Sequence, residues 1–400
     1  MVRRNITPAL SDITQDIAGE IPLKLINSWL YSDRDQVSYT QLLAPYKVRG
    51  VVVSTDSSGL SRLSQNKSLF EIIKLISHPK QLAFLYGSAI GGTPIGTWAA
   101  DNTQMFYPKS INLKKIIQQM AWVFRKLQTF DLKIGMAIHK GEFVHLGDGL
   151  YGEDAEHVEG LAESFAEGGQ MLITSRVLSE LDDELKTRAK LKEGAIGAFD
   201  FDYTGIEEKV ETKIDTFYPI PFSKTFYQDL MNTDLENQES AKALDKKYLQ
   251  NKIVVLVRIF HQEQKFLLDQ LIEWVEANAL IEKTRKRHDI FKIKSNGNLG
   301  IFVCDDAKKA MEFAKKLKAD FSQSKYKFNI GISSGEVLVS DIDQDNWDIA
   351  GEPVNIASKI AEDSKEKNKI LIEESVEITK GGTPFKLIIS GVEIKGVGIE

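Results

Sequence analysis

Cysteine is nearly absent. The 400 residues contain one, Cys304, which excludes an internal disulfide framework. No apolar run approaches the ~20 residues needed to span a bilayer, and the stretch from Met1 to Asp12 lacks the apolar segment of a secretory signal. A surplus of positive charge is missing as well. Lys and Arg number 51 against 57 Asp and Glu, a formal net charge of −6, which argues against a general nucleic-acid binder. A cytoplasmic protein with no membrane span and no nucleic-acid partner is expected. The chain is longer than one ordinary domain, and its 42% hydrophobic content suffices for two buried cores.

The hydrophobic pattern occurs twice. Tyr46 to Val53 is a short apolar run ending on Ser54-Thr55-Asp56-Ser57-Ser58-Gly59, the pattern of a buried strand feeding a tight loop, and the same shape returns at Lys252 to Ile259. Each run precedes a helical spacing. Leu69, Ile72, Ile73 and Ile76 share one face in the first, and Leu268, Leu271, Ile272 and Val275 in the second. A second helix follows in each copy, carrying Leu113, Ile116, Ile117, Met120, Phe124 and Leu127, then Ala307, Ala310, Met311, Ala314 and Leu317. Gly152 to Glu163 lies on Gly351 to Glu362 without a gap, and Met136 to Glu142 lies on Ile330 to Glu336. The order strand, helix, hairpin, helix, strand, then helix and further strands is an α+β layer resembling a ferredoxin-like core. The polar stretch Lys224 to Tyr248 reads as a linker with some helix. The expected division is a first domain over 1–225, a linker over 226–247 and a second domain over 248–400.

The two copies differ in their polar residues. In the first, Asp56 precedes Ser57-Ser58-Gly59, a loop whose amides suit phosphate while the carboxylate suits a hard cation. An Asp before such a turn is by itself an ordinary turn residue. Asp101, in the hairpin Thr97 to Phe106, is the second carboxylate, and together the two acids could share two Mg2+ ions. The second copy has neither acid, with Arg258 aligned on Asp56 and Asn296 on Asp101. It carries instead Lys292, four residues before Asn296, with Asp348, Asn355, Lys359 and Lys395. Each copy thus lacks the polar groups that the other keeps.

Val51 to Ser61, Gly91 to Pro108 and Trp347 to Lys359 resemble the metal and base-recognition motifs of the class III nucleotidyl cyclases. The sharpest piece, Trp347-Asp348 through Gly351 to Val354-Asn355-Ile356-Ala357-Ser358-Lys359, is similar to that family's aromatic-Asp, Gly, Val-Asn-x-Ala-x-Arg signature, with Lys359 in place of the arginine. The likeness runs from about Tyr46 onward. The tandem layout resembles the cytosolic bicarbonate-regulated adenylyl cyclases, and the division of residues resembles the paired domains of transmembrane adenylyl cyclases. The resemblance implies two cyclase domains forming an intramolecular pseudo-heterodimer, working as a monomer. It implies conversion of ATP to 3′,5′-cyclic AMP and pyrophosphate with two Mg2+ or Mn2+ ions on Asp56 and Asp101, the Ser57 carbonyl a further ligand, and Ser58 and Gly59 beside the phosphates. By the same likeness Lys292 and Asp348 read the adenine edge, Asn355 orients the ribose, Lys359 meets charge on the α-phosphate, and Lys395 holds the terminal phosphates. The mirror-image cleft, with Thr97, Glu156 and Gly160 facing Arg258 and Asn296, is a candidate pocket for a small-molecule or anion effector such as bicarbonate. A pseudocyclase that binds nucleotide without turnover, or a cyclase making another cyclic nucleotide, is the rival reading.

Overall fold

The apolar run at Val51–Val53 becomes the middle of strand β1 (Lys47–Ser58), where all three side chains are buried. The computed structural model describes residues 22–399 apart from 64–66, 97, 99–101, 148, 207–216, 261–265, 325, 344–345, 365, 377–381 and 390–391. The chain forms two compact units. One is Leu43–Pro221, and the other is Phe222–Glu400 together with residues 22–42.

In the first unit β1 is followed by the helix Leu69–Ala89, β2 (Thr93–Pro94), β3 (Thr103–Pro108), the helix Leu113–Leu127 and β4 (Lys133–Leu146). Then come β5 (Gly149–Tyr151), the helix Glu153–Ser164, β6 (Met171–Thr174), β7 (Ala189–Leu191) and β8 (Ala198–Phe201). The sheet order is β2-β3-β1-β4-β6-β8-β7, with β5 paired to β4 off that path. The second unit repeats this plan. Its strands are β9 (Leu249–Phe260), β10 (Phe291–Asn296), β11 (Leu299–Cys304), β12 (Lys327–Asp343), β13 (Asn346–Ala350), β14 (Lys369–Glu373), β15 (Thr383–Ile389) and β16 (Val392–Ile399). They run β10-β11-β9-β12-β14-β16-β15, with β13 off β12. In both units the β4–β6 or β12–β14 pair is parallel and the other pairs are antiparallel. Two α+β domains of the same topology are therefore present, as the repeat predicts.

Alternation along β9 divides the second core. Val255, Val257 and Ile259 pack with the helices Leu267–Arg285 and Ala307–Ser322, whereas Val254 and Leu256 pack under the helix Glu352–Asp363. Cys304 lies within the first of these clusters, where burial pushes its thiol up. Among the described residues no helix is long and apolar enough to cross a membrane.

Three expectations change. The buried face of the helix Leu69–Ala89 is Phe70, Ile73, Ser77, Lys80, Ala83 and Gly87, so of the four apolar positions read from the sequence only Ile73 is buried. Two of the buried positions are polar and hydrogen-bonded, which a scan of apolar spacing passes over. The segment read as a linker is two helices, Lys224–Asn232 and Gln238–Tyr248, that belong to the second unit. Phe226, Tyr227, Leu230 and Leu244 are buried, and Phe226 meets Tyr248 edge to face at 4.9 Å. The helix Leu23–Tyr31, expected with the first domain, also packs on the second unit. Trp29 is fully buried there, donates its indole N–H to Asp269 at 2.8 Å and stands edge-on to Phe266 at 5.2 Å.

Candidate active site

The first unit presents Asp56, Ser57 and Ser58 at the end of β1, where the strand leaves the sheet. Thr55, one residue earlier, pairs with Thr103 of β3, their hydroxyls 2.6 Å apart and buried, while Asp56 lies opposite Gly135 of β4. Asp56 is half-buried. Gly59 follows with φ 78°, a left-handed conformation that turns the chain sharply and that side-chain-bearing residues rarely adopt. Asp101 and Thr97 lie outside the described residues. Among the described residues no group of three or more His, Cys, Asp or Glu could hold a metal. Asp56 supplies one carboxylate with a main-chain carbonyl beside it, a set of hard oxygen donors that suits Mg2+ or Mn2+ and needs a second acid to complete it.

Position 56 has an unambiguous counterpart in the second unit. Asp56 lies opposite Gly135, and Arg258 lies opposite Asn329, the residue aligned with Gly135. On the other side Thr55 pairs with Thr103, whereas Arg258 pairs with Leu299. Val257, one residue before Arg258, pairs with Gly300, so Gly300 corresponds to Thr103, and counting two residues back along each sequence aligns Asn298 with Asp101. The sequence alignment, which used Asn296, is thus corrected by two residues. The lysine four before Asn298 is Lys294, not Lys292.

Side-chain contacts point the same way. Lys294 Nζ lies 2.5 Å from Asp348 Oδ1, and Asp348, on β13, is 4% exposed. The same oxygen accepts the Ile349 amide at 2.8 Å. β10 carries an irregularity between Lys292 and Lys294, with Ile293 buried between them. Lys292 instead helps hold down the Glu282 carboxyl. Burial pushes that carboxyl up, but hydrogen bonding to Arg285 and the nearby cations outweigh it. Arg258 donates to Asn298 Oδ1 at 3.0 Å and approaches Glu362 at 3.4 Å, so a guanidinium occupies the place that Asp56 holds in the other unit.

Asn355 and Lys359 sit one turn apart on the helix Glu352–Asp363, the first exposed and the second half-buried. That helix starts at Gly351, whose φ of 149° brings it against β12, where a Cβ would lie 2.9 Å from the Glu336 carbonyl oxygen. Lys395, on β16, pairs with Glu393 at 2.9 Å, which raises its ammonium above the ordinary lysine range. No described contact joins Lys395 to Lys294, Asp348, Asn355 or Lys359.

In the first unit the aligned positions are occupied differently. Asp154, which falls on Pro353, accepts from the Glu142 amide at 2.8 Å and from Arg176 Nη1 at 2.8 Å. Burial pushes its carboxyl up, and these donors together with His139, 3.1 Å away, more than offset that and hold it below the usual range. His139 is buried and bonds Thr174 at 3.0 Å.

No protein-family model matches this chain, and no curated protein matches its sequence. Solved structures do. A class III adenylyl cyclase-like ATP-binding protein from Pseudomonas aeruginosa matches with a TM-score of 0.50 at 12% identity, over 82% of this chain and 84% of its own. The guanylyl cyclase domain of the RhoGC fusion protein from the aquatic fungus Blastocladiella emersonii matches at 19% identity with a TM-score of 0.34, over 38% of this chain and 96% of its own. An adenylate/guanylate cyclase/hydrolase from Silicibacter pomeroyi matches at 17% identity with a TM-score of 0.32, over 38% and 96%. The fold is that of class III nucleotidyl cyclase domains.

Proposed function

We propose that this protein is an adenylyl cyclase that converts ATP to 3′,5′-cyclic AMP and pyrophosphate at one site drawn from both copies, the first supplying the acids and the second reading the base. The observation that carries the reading is the Lys294–Asp348 pair. A nearly buried carboxylate beside an ammonium offers one acceptor and one donor, matching the exocyclic amine and a ring nitrogen of adenine. Guanine presents the opposite pattern. Lys294 therefore takes the base-reading role that the sequence alone assigned to Lys292.

The reaction joins the ribose 3′-oxygen to the α-phosphorus, breaks the bond to the β-phosphate oxygen and releases the 3′-hydroxyl proton with pyrophosphate. Two Mg2+ or Mn2+ ions, held by Asp56 and Asp101 with the Ser57 carbonyl, would supply charge neutralisation at the attacking and leaving oxygens. Asn355 orients the ribose, and Lys359 one turn later meets charge on the α-phosphate. Ser58 and Gly59 lie beside the phosphates. Lys395 keeps its assignment to the terminal phosphates only if it leaves Glu393 when nucleotide binds.

A second reading, a nucleotide-binding protein without turnover, is favoured by Lys359, a point charge where a planar guanidinium fork would grip phosphate. Incubating the full chain with ATP and Mn2+ and assaying cyclic AMP separates the two. Product formation supports the first; ATP binding with no product, and none restored by Lys359→Arg, establishes the second. The effector pocket and the monomeric state belong to this proposal as well, and a panel of small anions including bicarbonate tests the former.

A further inference from the structure

Asn278 is a polar residue in an apolar wall. It sits on the helix Leu267–Arg285 between Val275 and Ile281, both buried, and is itself 2% exposed. Its side-chain amide donates twice, to the main-chain carbonyl of Trp274 at 2.9 Å and to that of Gly297 at 2.8 Å. The first bond stays within the helix, and the second crosses to the turn between β10 and β11. Oδ1, turned away from both carbonyls, is buried with no hydrogen-bond partner among the described residues. A core that strands an acceptor to keep two donors in place calls for a reason. The turn supplies it. Asn296 pairs with Leu299, so Gly297 and Asn298 form a two-residue loop, with Gly297 at φ 57° in the first place, where glycine is favoured. A Cβ there would lie 3.1 Å from the Trp274 ring, so the turn is seated on the same helix. On its other side the Ile259 amide donates to Asn298 O at 2.8 Å. From this turn the ladder runs regularly through Asn296, Ser295 and Lys294, opposite Leu299, Gly300 and Ile301, and then breaks at the irregularity before Lys292. Lys294 is thus the last regular pair counted from the turn. β10 ends the sheet order, with β11 as its paired neighbour, so its register leans on the turn, and a slip of one residue would swing Lys294 away from Asp348.

The first unit carries a matching device. Phe70, Ile73, Ser77, Lys80 and Ala83 are buried on the helix Leu69–Ala89, and Leu268, Leu271, Val275, Asn278 and Ile281 repeat that spacing, which sets Lys80 at the place of Asn278. Lys80, equally buried, donates its Nζ to the main-chain carbonyl of Trp98, between β2 and β3, at 2.8 Å. Both copies therefore put a buried donor at one point of this helix and aim it at a main-chain carbonyl between the two strands that follow. We infer that Asn278 is a positioning residue that sets the register of β10 and so holds Lys294 against Asp348, which makes it a determinant of base preference. The base-preference half rests on the reading of Lys294 as the adenine donor. An asparagine serving only the core would affect stability and leave both the Lys294–Asp348 contact and the base preference alone.

The test uses the full chain with Asn278→Leu, which keeps the volume and removes both donors, and Asn278→Gln, which keeps the amide. Coupling between Lys294→Met and Asp348→Leu is measured by urea melts in the parent and in the Asn278→Leu background, and ATP and GTP affinities are measured by calorimetric titration. Asn278→Leu is expected to abolish the coupling and to lower the ATP-to-GTP affinity ratio by about tenfold, within the ~10²-fold that a misplaced group can cost. Asn278→Gln should recover part of both. A folded Asn278→Leu protein that keeps the coupling of the parent overturns the inference. One that loses the coupling yet keeps the ratio, where Lys294→Met does not, overturns the half concerning base preference. If Asn278→Leu does not fold, Gly297→Ala, which strains the turn and leaves the helix untouched, carries the same comparison. A ratio that stays at the parent value in Lys294→Met as well overturns the base reading itself. In that case the coupling still decides whether Asn278 holds Lys294.

Discussion

Replacing Lys294 by methionine keeps the side-chain stem and removes the ammonium that sits 2.5 Å from Asp348. Asp348, 4% exposed, is left with the Ile349 amide as a donor. Stranding a fully buried charge costs about 3–5 kcal/mol. The Lys294 side chain is 32% exposed, however, so water reaches the vacated place, and the expected loss falls to about 1–2 kcal/mol. In a unit of this size that lowers Tm by roughly 2–4 °C per kcal/mol. On the ligand side the lost donor weakens ATP binding by about 1–3 kcal/mol, roughly 5- to 150-fold, while GTP, which has no use for a donor there, is little affected. Calorimetric titration with ATP and GTP reads the ratio, and scanning calorimetry reads the stability. The double variant Lys294→Met/Asp348→Leu removes both charges and should recover stability relative to the single one, because no unpaired carboxylate remains. Lys292→Met should leave the ATP-to-GTP ratio unchanged. A ratio that collapses in Lys292→Met and survives in Lys294→Met would refute the structural assignment.

Asp56→Asn and Asp101→Asn should each abolish Mn2+-dependent turnover, since the proposal assigns both carboxylates to the metal ions; retained turnover rejects the metal assignment. Trp29→Ala should destabilise the second unit by about 3–5 kcal/mol, because Trp29 is fully buried and hydrogen-bonded to Asp269; denaturant melts that match the parent would show that the N-terminal helices contribute nothing. Burial lowers the His139 imidazole; Asp154 acts in the opposite direction, and His157 and Arg176 lower it further. Between its folded value and the ordinary 6.5 the unfolded chain therefore holds a proton that the folded one refuses. Stability should rise with pH through that window and be lost as pH falls through it, and His139→Gln should flatten the slope in urea melts over about pH 5 to 8.

Much of the architecture is written locally. Continuous apolar runs at Val51–Val53 and Val254–Val257 mark strands buried on both faces, and helical spacing at Leu113–Leu127 and Leu268–Val275 marks the apolar face of a helix. The segment from Trp347 to Lys359 is equally local. Asp348, Asn355 and Lys359 could be singled out because one strand, one turn and one helix fix their mutual spacing. The partner of Asp348 was not legible in this way. Lys292 and Lys294 would share a face in a regular strand, so a period of two cannot choose between them. The irregularity in β10 and the pairing of β11 with β9 make the choice, and both depend on contacts between strands. The same holds for Lys80. A lysine in a helix reads as a solvated side chain, and only the approach of Trp98 and Tyr218 from elsewhere in the chain makes its burial tolerable. Trp29 likewise finds Asp269 across 240 residues of sequence, so the tertiary structure alone decided which unit the N-terminal helices join.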